Sequence, residues 1–484
     1  MNKSLLITCA SLLCFACSVG PNYKQPKIYT DEQINDTLNW QKNTSDTITR
    51  EWYKSFNDSS LNHLIAIGLE NSPNIKVALE KMRQSRYQLY IDRAGFLPTF
   101  DMSGKYNKSN QGIIDAFSSN NEYYQVGIDA SWEIDIWGGQ RRLTESSAAM
   151  LKSAAANFDN VKLSLAAEIA SQYINWRLTE KLLSITEENL RIQRNIFNLV
   201  EEKYRVGLAD DLDYEQARSV LQTTQMQLPE LRANKKSYQN ALAILVGKRP
   251  SEIVKENSNL IIQKPIFDKN KLYNFSADIV RNRPDVQIIE QQLIGENALI
   301  GNAIANLFPS ISLSAFLGYQ NKTLSPIFGS DYNVYTTGGI INLPLLHWGE
   351  LVNQVEIQKS VTRQTLALYE ASLLTAIVDI SNAITSVEEE NIRNNSAKSS
   401  MISTSKILDL SKTKYQNGLI NFSDLLTAEQ NKLSAEQEYM KSNANIYLNL
   451  ISFYKAVGGG FSINRNNQAY QKDETALACV PYKG

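Results

Sequence analysis

The chain has 484 residues, of which 49 are basic and 50 acidic, so its formal net charge is −1 and nucleic-acid binding is disfavoured. It has only two histidines, which disfavours a metal centre. Three of its four cysteines lie within the first seventeen residues, which disfavours a disulfide scaffold. Neither a Gly-x-Ser-x-Gly elbow nor a phosphate-binding loop occurs, so neither an enzyme nor a cofactor is expected.

The first seventeen residues have the pattern of a secretion signal. Lys3 supplies positive charge, and the apolar stretch Leu5–Phe15 is too short to span a bilayer. The segment ends at Cys17, which is preceded by a small residue and resembles the acylated cysteine of bacterial lipoproteins, although Cys14 stands where leucine is usual. We therefore predict a signal peptide over 1–16 and lipid attachment at Cys17. The residue after it is not the aspartate that favours inner-membrane retention, so the outer membrane is implied. Cleavage as an ordinary signal peptide is the alternative.

The rest of the chain contains a tandem repeat with a fixed offset of 211 positions. The pairs at this offset are Pro73 and Pro284, Pro98 and Pro309, Trp137 and Trp348, Gly207 and Gly418, Asp213 and Asp424, and Gly247 and Gly458. Six pairs at one offset are hard to attribute to chance, so the chain is predicted to be a duplication. We predict an N-terminal segment at 17–59, a first copy at 60–249, a linker at 250–272, a second copy at 273–460 and a tail at 461–484.

Each copy has the same predicted order of elements: a helix, two strands, a long helix, a tip and a last helix. In the first copy the strands lie at about 99–109 and 122–137, the long helix at 140–206, the tip at 207–211 and the last helix at 212–246. In the second copy the corresponding ranges are 310–320, 332–346, 350–417, 418–422 and 423–457. Neither long helix contains glycine or proline, and at ~1.5 Å per residue each could run about 100 Å, as in a coiled coil or an extended tube.

The first long helix carries two apolar stripes. One recurs every seven residues, at Trp176, Leu183, Leu190, Phe197 and Tyr204. The other runs beside it, at Leu178, Leu182, Ile185, Ile192, Ile196 and Leu199. Two adjacent seams let a helix pack against a neighbour on each side, which is how helices close into a cylinder. A helix buried in an ordinary bundle is the alternative.

The predicted strands have the opposite period. From Tyr124 to Ile136 every even position is apolar or aromatic, which is typical of a barrel strand with one face towards lipid. A half-buried sheet in a soluble protein alternates too, but the secretion signal favours the membrane. About eight strands are the usual minimum for a membrane barrel, so four per chain predict an oligomer, with two, three or four copies all possible.

These features resemble the outer-membrane efflux protein family, of the TolC and OprM type. The segment Cys17–Tyr23 resembles the lipoprotein branch that serves resistance-nodulation-division pumps, and the two Tyr-x-x-Gly-Leu turns resemble the family's periplasmic helix tips. The resemblance implies a mainly α protein with membrane β-strands. It implies a homotrimer with a twelve-stranded β-barrel, four strands per protomer, continued by a long α-helical barrel in the periplasm. An inner-membrane pump would hand small molecules such as drugs to this duct through a periplasmic adaptor.

The resemblance also implies site residues. In the family the periplasmic end is closed by a network among the tip helices and an aspartate ring, and Tyr415, Asp424 and Asp213 match these positions. Three copies of Asp424 around one axis would favour cations. Ile420 and Thr427 stand where some members have an arginine and a second aspartate, so fewer charges are expected here. Helix N-capping is the alternative role of both aspartates.

The residues expected to face the adaptor are those of the two tips, namely Val206, Gly207, Leu208, Gly418 and Leu419. A plain helix-turn-helix is the alternative for them. Two other functions stay open: a secreted coiled-coil lipoprotein acting as a scaffold, and an exit duct for type I secretion. An enzyme is disfavoured by the missing motifs. The sequence does not indicate the exported compound.

Overall fold

The computed structural model describes residues 18–40, 50–111, 119–253, 272–324, 328 and 330–460. The predicted signal peptide, Cys17 and the tail lie outside these residues. The described chain divides into two compact units, the first drawing on the residues up to Pro26, Lys81–Ala155 and Ile288–Glu370, and the second on the remainder.

The elements have the same order in both copies. Helix α1 (Asp31–Leu38) precedes the first copy. The first copy comprises α2 (Ser59–Asn71), α3 (Pro73–Ala94), β1 (Thr99–Gln111), β2 (Ser119–Glu133), α4 (Gly139–Arg205) and α5 (Asp211–Val246). Helix α6 (Pro250–Ile253) follows it, at the start of the predicted linker. The second comprises α7 (Asp278–Arg281), α8 (Pro284–Ala305), β3 (Ser310–Asn321), β4 (Asn333–Asn342), α9 (Glu350–Gln416) and α10 (Phe422–Ala456). Helices α4 and α9 both have 67 residues and begin and end 211 positions apart.

Three of the differences from the predicted elements have a plain physical cause. Both copies open with two helices where one was expected, and in the first copy the break lies at Ser72, which is extended (ψ 131°), as a residue before proline usually is. Strand β2 ends at Glu133 and not near residue 137, since Asp135 accepts hydrogen bonds from the first backbone amides of α4. Strand β4 ends at Asn342, shortly before Pro344, which has no N–H for a ladder.

Two pairs of the repeat landmarks meet in space. In the first copy, Gly247 follows α5 with φ 68°, and a side-chain carbon there would lie 2.8 Å from the carbonyl oxygen of Asn71, beside Pro73. In the second copy, a side-chain carbon at Gly458 (φ 79°) would lie 3.4 Å from the Cα of Arg283 and 3.6 Å from the ring of Pro284. The last helix of each copy therefore ends against the proline that starts an earlier one, which explains why both landmarks recur at one offset.

The four strands form one antiparallel sheet in the order β1-β2-β3-β4. One row of paired residues crosses all four strands at Met102, Ile128, Leu317 and Tyr335, and these apolar side chains are exposed in the protomer. Among the described residues, β1 and β4 each pair with one strand only. The sheet thus has an exposed apolar face and two open edges.

Among the described helices, α9 contains an 18-residue window long and apolar enough to cross a membrane, with 39% of the window buried. A core helix passes the same test, so this window is not assigned to the membrane.

Candidate gate and helix tips

Two helix hairpins carry the predicted site residues: hairpin 1 is α4 with α5, and hairpin 2 is α9 with α10. In hairpin 1, Gly207 has φ 73° and donates to the carbonyl of Tyr204 at 3.0 Å, while Leu208 donates to the carbonyl of Lys203 at 2.8 Å. Hairpin 2 repeats this geometry at Gly418, with φ 70°. Both turns end a long helix with the left-handed cap that glycine adopts at low cost.

The tips present apolar side chains to solvent. The exposed fraction is 77% for Leu208, 70% for Leu419 and 69% for Val206. Leucines at these positions contribute nothing to the core of the protomer, so the tips form exposed apolar surface of the kind that marks an interaction site.

The two predicted gate aspartates occupy the first turn of the helix that follows each tip. Asp210 is the N-cap of α5 and accepts from the backbone N–H of Asp213 at 2.8 Å. The carboxylate of Asp424 is exposed and accepts from the backbone N–H of Asn421 at 3.3 Å, which closes a capping box at the start of α10. Asp424 therefore supports the helix start, whereas in the first copy the cap is Asp210 and not Asp213.

Tyr415 joins the two hairpins. The ammonium of Lys203, from hairpin 1, lies 5.2 Å from the centre of the Tyr415 ring and 3.5 Å from its hydroxyl oxygen. The same ring packs against Phe422, with ring centres 5.9 Å apart. A cation over an aromatic face is attractive, so Lys203 holds the end of one hairpin against the other.

Lys203 also acts on Asp213. Burial raises the pKa of the Asp213 carboxyl and repulsion from Asp210 adds to this effect, while the positive charge of Lys203 opposes it. Lys203 thus connects two of the three predicted gate residues, Tyr415 and Asp213, whereas the described contacts of Asp424 lie within its own helical turn.

Sequence reasoning missed Lys203. Its counterpart at the repeat offset is another lysine, Lys414, so no difference between the copies marks this position as part of a site. The tyrosine before the tip also has different surroundings in the two copies. In hairpin 1, the ring of Tyr204 stacks on that of Tyr214, with ring centres 4.9 Å apart. Tyr415, the counterpart of Tyr204 in hairpin 2, contacts hairpin 1 instead. The tyrosine of the duplicated motif therefore makes different contacts in the two copies.

An apolar cluster lies beside these contacts. Val200 and Ala217 of hairpin 1 are buried together with Phe422 and Leu426 of hairpin 2. Removal of these side chains from water stabilises the contact between the hairpins near the tips, at about 25 cal/mol per Å² of apolar surface buried.

Comparison with known proteins identifies the class to which this fold belongs. The family model described as "Outer membrane efflux protein" matches the chain twice, over residues 64–248 and 276–459. The two matches coincide with the two copies of the repeat.

Relatives and solved structures agree over nearly the full length. Nodulation protein T of Rhizobium leguminosarum bv. trifolii is 28% identical over 93% of this chain and 96% of its own length. The Campylobacter jejuni CmeC outer membrane channel superposes with a TM-score of 0.85 at 26% identity, covering 95% of this chain and 98% of that one. The outer-membrane channel OprN superposes with a TM-score of 0.82 at 27% identity, covering 92% and 100%.

The chain belongs to the outer membrane efflux protein family. It is an outer-membrane channel of an efflux system, and its fold is that of channel proteins. The family and the mainly α fold with a four-stranded sheet and a tandem repeat, both predicted from the sequence, are confirmed.

Proposed function

We propose that this protein is the passive exit duct of a tripartite efflux system and has no enzymatic activity. Three copies form a twelve-stranded barrel in the outer membrane, continued by a helical barrel in the periplasm. A periplasmic adaptor and an inner-membrane pump of the resistance-nodulation-division type deliver small molecules to the periplasmic end, and the pump supplies the energy.

The observation that carries this proposal is the sheet with one apolar face and two open edges. The apolar row from Met102 to Tyr335 is suited to lipid, and inside a bilayer every backbone N–H and C=O of an edge strand needs a partner. Pairing β4 of one copy with β1 of the next removes both edges. Three copies, as the family resemblance implies, give twelve strands.

The tips form the gate and the docking surface in this proposal. Lys203 contacts Tyr415 and acts electrostatically on Asp213, and these two residues hold the hairpins closed. Asp424 lines the constriction. The exposed apolar residues Val206, Leu208 and Leu419, on turns set by Gly207 and Gly418, are the surface that the adaptor covers.

The lipid anchor is supported by the contacts of the residues that follow it. Arg142, on the first turn of α4, donates to the carbonyl of Val19 at 3.1 Å and to the side chain of Asn22 at 2.8 Å, and Val19 donates to the carbonyl of Trp137 at 3.0 Å. These bonds fix the chain after Cys17 beside the point where β2 passes into α4, which is where a membrane sheet leaves the lipid. Attachment of acyl chains at Cys17 fits that position.

Cys17→Ser is expected to abolish incorporation of labelled palmitate into the protein, because serine offers no thiol for acylation. The measurement is autoradiography of the protein purified from cells grown with the label, with Cys14→Ser as the matched control that keeps the label. Equal labelling of Cys17→Ser and the wild type would contradict lipid attachment there.

Single-channel conductance in a planar bilayer tests the channel and its gate. The wild type is expected to show a small, cation-selective conductance, and Asp424→Ala to lower the preference for cations at least about twofold, because it removes one charge per protomer from the constriction. Asp424→Asn separates the two roles of this residue, since asparagine is neutral but can still accept from Asn421. If both variants lose selectivity, charge is the cause.

Selectivity unchanged in both variants would contradict a role of Asp424 in the constriction. If folded protein inserts and never conducts, even with Tyr415→Ala to loosen the gate, the duct proposal fails and a structural lipoprotein becomes the better description.

A further inference from the structure

A buried carboxyl joins the two hairpins on the far side of the apolar cluster from the tips. Gln193 precedes Val200 by seven residues on α4, and Glu429 follows Phe422 by seven residues on α10, about 10 Å along each helix. The amide nitrogen Nε2 of Gln193 donates to Oε2 of Glu429 at 3.0 Å. The two side chains are only 2% and 3% exposed.

Each member of this pair has one buried oxygen without a hydrogen-bond partner, Oε1 of Gln193 and Oε1 of Glu429. An ionised carboxylate and an amide oxygen are both acceptors, so they cannot satisfy each other, and a buried polar atom left unpaired is costly. A protonated Glu429 can donate from Oε1 to the amide oxygen of Gln193. This closes a two-bond acid–amide pair in which both oxygens have a partner.

Another buried carboxylate shows what the helices provide for an ionised group. Glu390, on α9, is 8% exposed and accepts hydrogen bonds from Ser442 at 2.5 Å and from Arg393 at 3.2 Å. Among the described residues, Glu429 accepts one hydrogen bond, from the neutral amide of Gln193. The surroundings of Glu390 suit a carboxylate, and those of Glu429 suit a neutral acid.

The charged groups that act on Glu429 come from two helices. Burial is the largest influence and raises the pKa of the Glu429 carboxyl, whereas Lys412 on α9, the hydrogen bond from Gln193 on α4 and Lys432 on α10 lower it. Lys432 is itself paired with Glu436, and helix α4 faces Glu429 with the neutral Gln193. The two lysines therefore only partly offset the burial.

We propose that Gln193 and Glu429 form a protonation-dependent latch, which holds hairpin 1 against hairpin 2 in the closed channel while Glu429 is a neutral acid. The latch rests on the proposed gating at the tips. When the hairpins separate, Glu429 reaches water and ionises, and the acid–amide pair is lost.

The direction of the pH effect follows from proton binding. The closed state holds one more proton per latch than the open state, so a fall in pH favours closure and a rise favours opening. The window lies between the ordinary pKa of a glutamate, 4.5, and the raised value in the closed state. Within it, the ratio of open to closed channels changes by up to about tenfold per pH unit for each latch that ionises.

The test compares the open probability of the wild type and Glu429→Gln in planar bilayers from about pH 5 to about pH 8. Glutamine at 429 supplies an N–H where the neutral acid has its O–H, so it keeps the latch closed at every pH. The two proteins should match at the acid end, and the variant should be about tenfold less open at the alkaline end. The swap Gln193→Glu/Glu429→Gln restores one acid and one amide, and it should restore the pH dependence.

Glu438→Gln is the matched control, because it removes a carboxylate from the same helix. That carboxylate is paired with Arg393, and its side chain is 45% exposed. It should keep the wild-type profile. A Glu429→Gln profile that follows the wild type, or a swap that stays independent of pH, overturns the latch. Should Glu429→Gln not assemble, Gln193→Leu must raise the open probability at about pH 5, and failure to do so also overturns it.

Failure of the latch differs from failure of the duct. If no protein conducts at any pH, the duct proposal fails, and amide hydrogen exchange of the tips in detergent then tests the latch alone. After correction for intrinsic exchange, protection should fall with rising pH in the wild type and stay constant in Glu429→Gln. Identical behaviour of the two proteins overturns the latch.

Discussion

Replacing Leu208 and Leu419 with aspartate is expected to abolish binding of the proposed periplasmic adaptor and to leave the channel intact. Each leucine is more than two-thirds exposed and lies on a turn that backbone hydrogen bonds fix without its side chain. Its burial against a partner would contribute about 1.5–3 kcal/mol, and a carboxylate in its place would add a desolvation penalty. The two substitutions together should weaken binding at least about 100-fold, since about 1.4 kcal/mol is a tenfold change.

The measurement is the amount of adaptor that copurifies from native membranes with the tagged protein. Asn417→Asp is the matched control, because it adds the same charge two residues from Leu419 at an exposed position that is not apolar. The double variant should still conduct in a planar bilayer, which separates lost docking from lost folding. Normal recovery of adaptor with the double variant would remove the tips from the docking surface.

Repetition made the architecture predictable from one sequence. Proline and glycine restrict the backbone in ways that few residues can replace, so landmarks such as Pro73, Pro284, Gly247 and Gly458 survived while their surroundings changed. Their contact in the structure explains their common offset. The strands were predictable for a similar reason, since the two faces of a membrane sheet impose strict alternation.

The contacts between hairpins could not be predicted in the same way. A 67-residue helix has polar side chains on all its sides along its whole length. A seven-residue apolar period does not determine which of these polar side chains contacts a given neighbouring helix. Lys203 meets Tyr415 across more than 200 positions of sequence, and Gln193 meets Glu429 across a similar interval. The repeat gives no guide to either contact, because Lys203 and Tyr415 have identical counterparts in the other copy that make different contacts. The counterparts of Gln193 and Glu429 are residues of another type.

The position before the proline landmark shows the same divergence, and it carries the second large effect. Ser72 precedes Pro73 in the first copy, whereas Arg283 precedes Pro284 in the second. The buried guanidinium of Arg283 donates to the carbonyl of Ala456 at 2.9 Å and to that of Ala376 at 3.2 Å. It also forms ion pairs with two aspartates, Asp285 at 2.7 Å and Asp379 at 3.1 Å.

Arg283→Ala is therefore expected to lower the free energy of unfolding by about 2–6 kcal/mol, because it leaves two buried carbonyls without the guanidinium donor at about 1–3 kcal/mol each. The two aspartates are nearly half exposed, so losing their ion pairs adds little. Ala456 is the last residue of α10, so its carbonyl has no partner within the helix and depends on Arg283. Arg283→Lys keeps the charge but cannot reach four acceptors with one ammonium, and it should cost about 1–3 kcal/mol.

Denaturant unfolding of the detergent-solubilised protein, followed by circular dichroism, measures both variants. The matched control is Arg249→Ala, which removes an arginine that is 86% exposed and paired with Glu252 at 3.0 Å. Because exposed ion pairs contribute little, the control should stay within about 0.5 kcal/mol of the wild type. If Arg283→Ala behaves like Arg249→Ala, Arg283 does not hold α8, α9 and α10 together. A loss confined to Arg283→Ala and Arg283→Lys, larger in the first, is the outcome that contacts with four partner residues require.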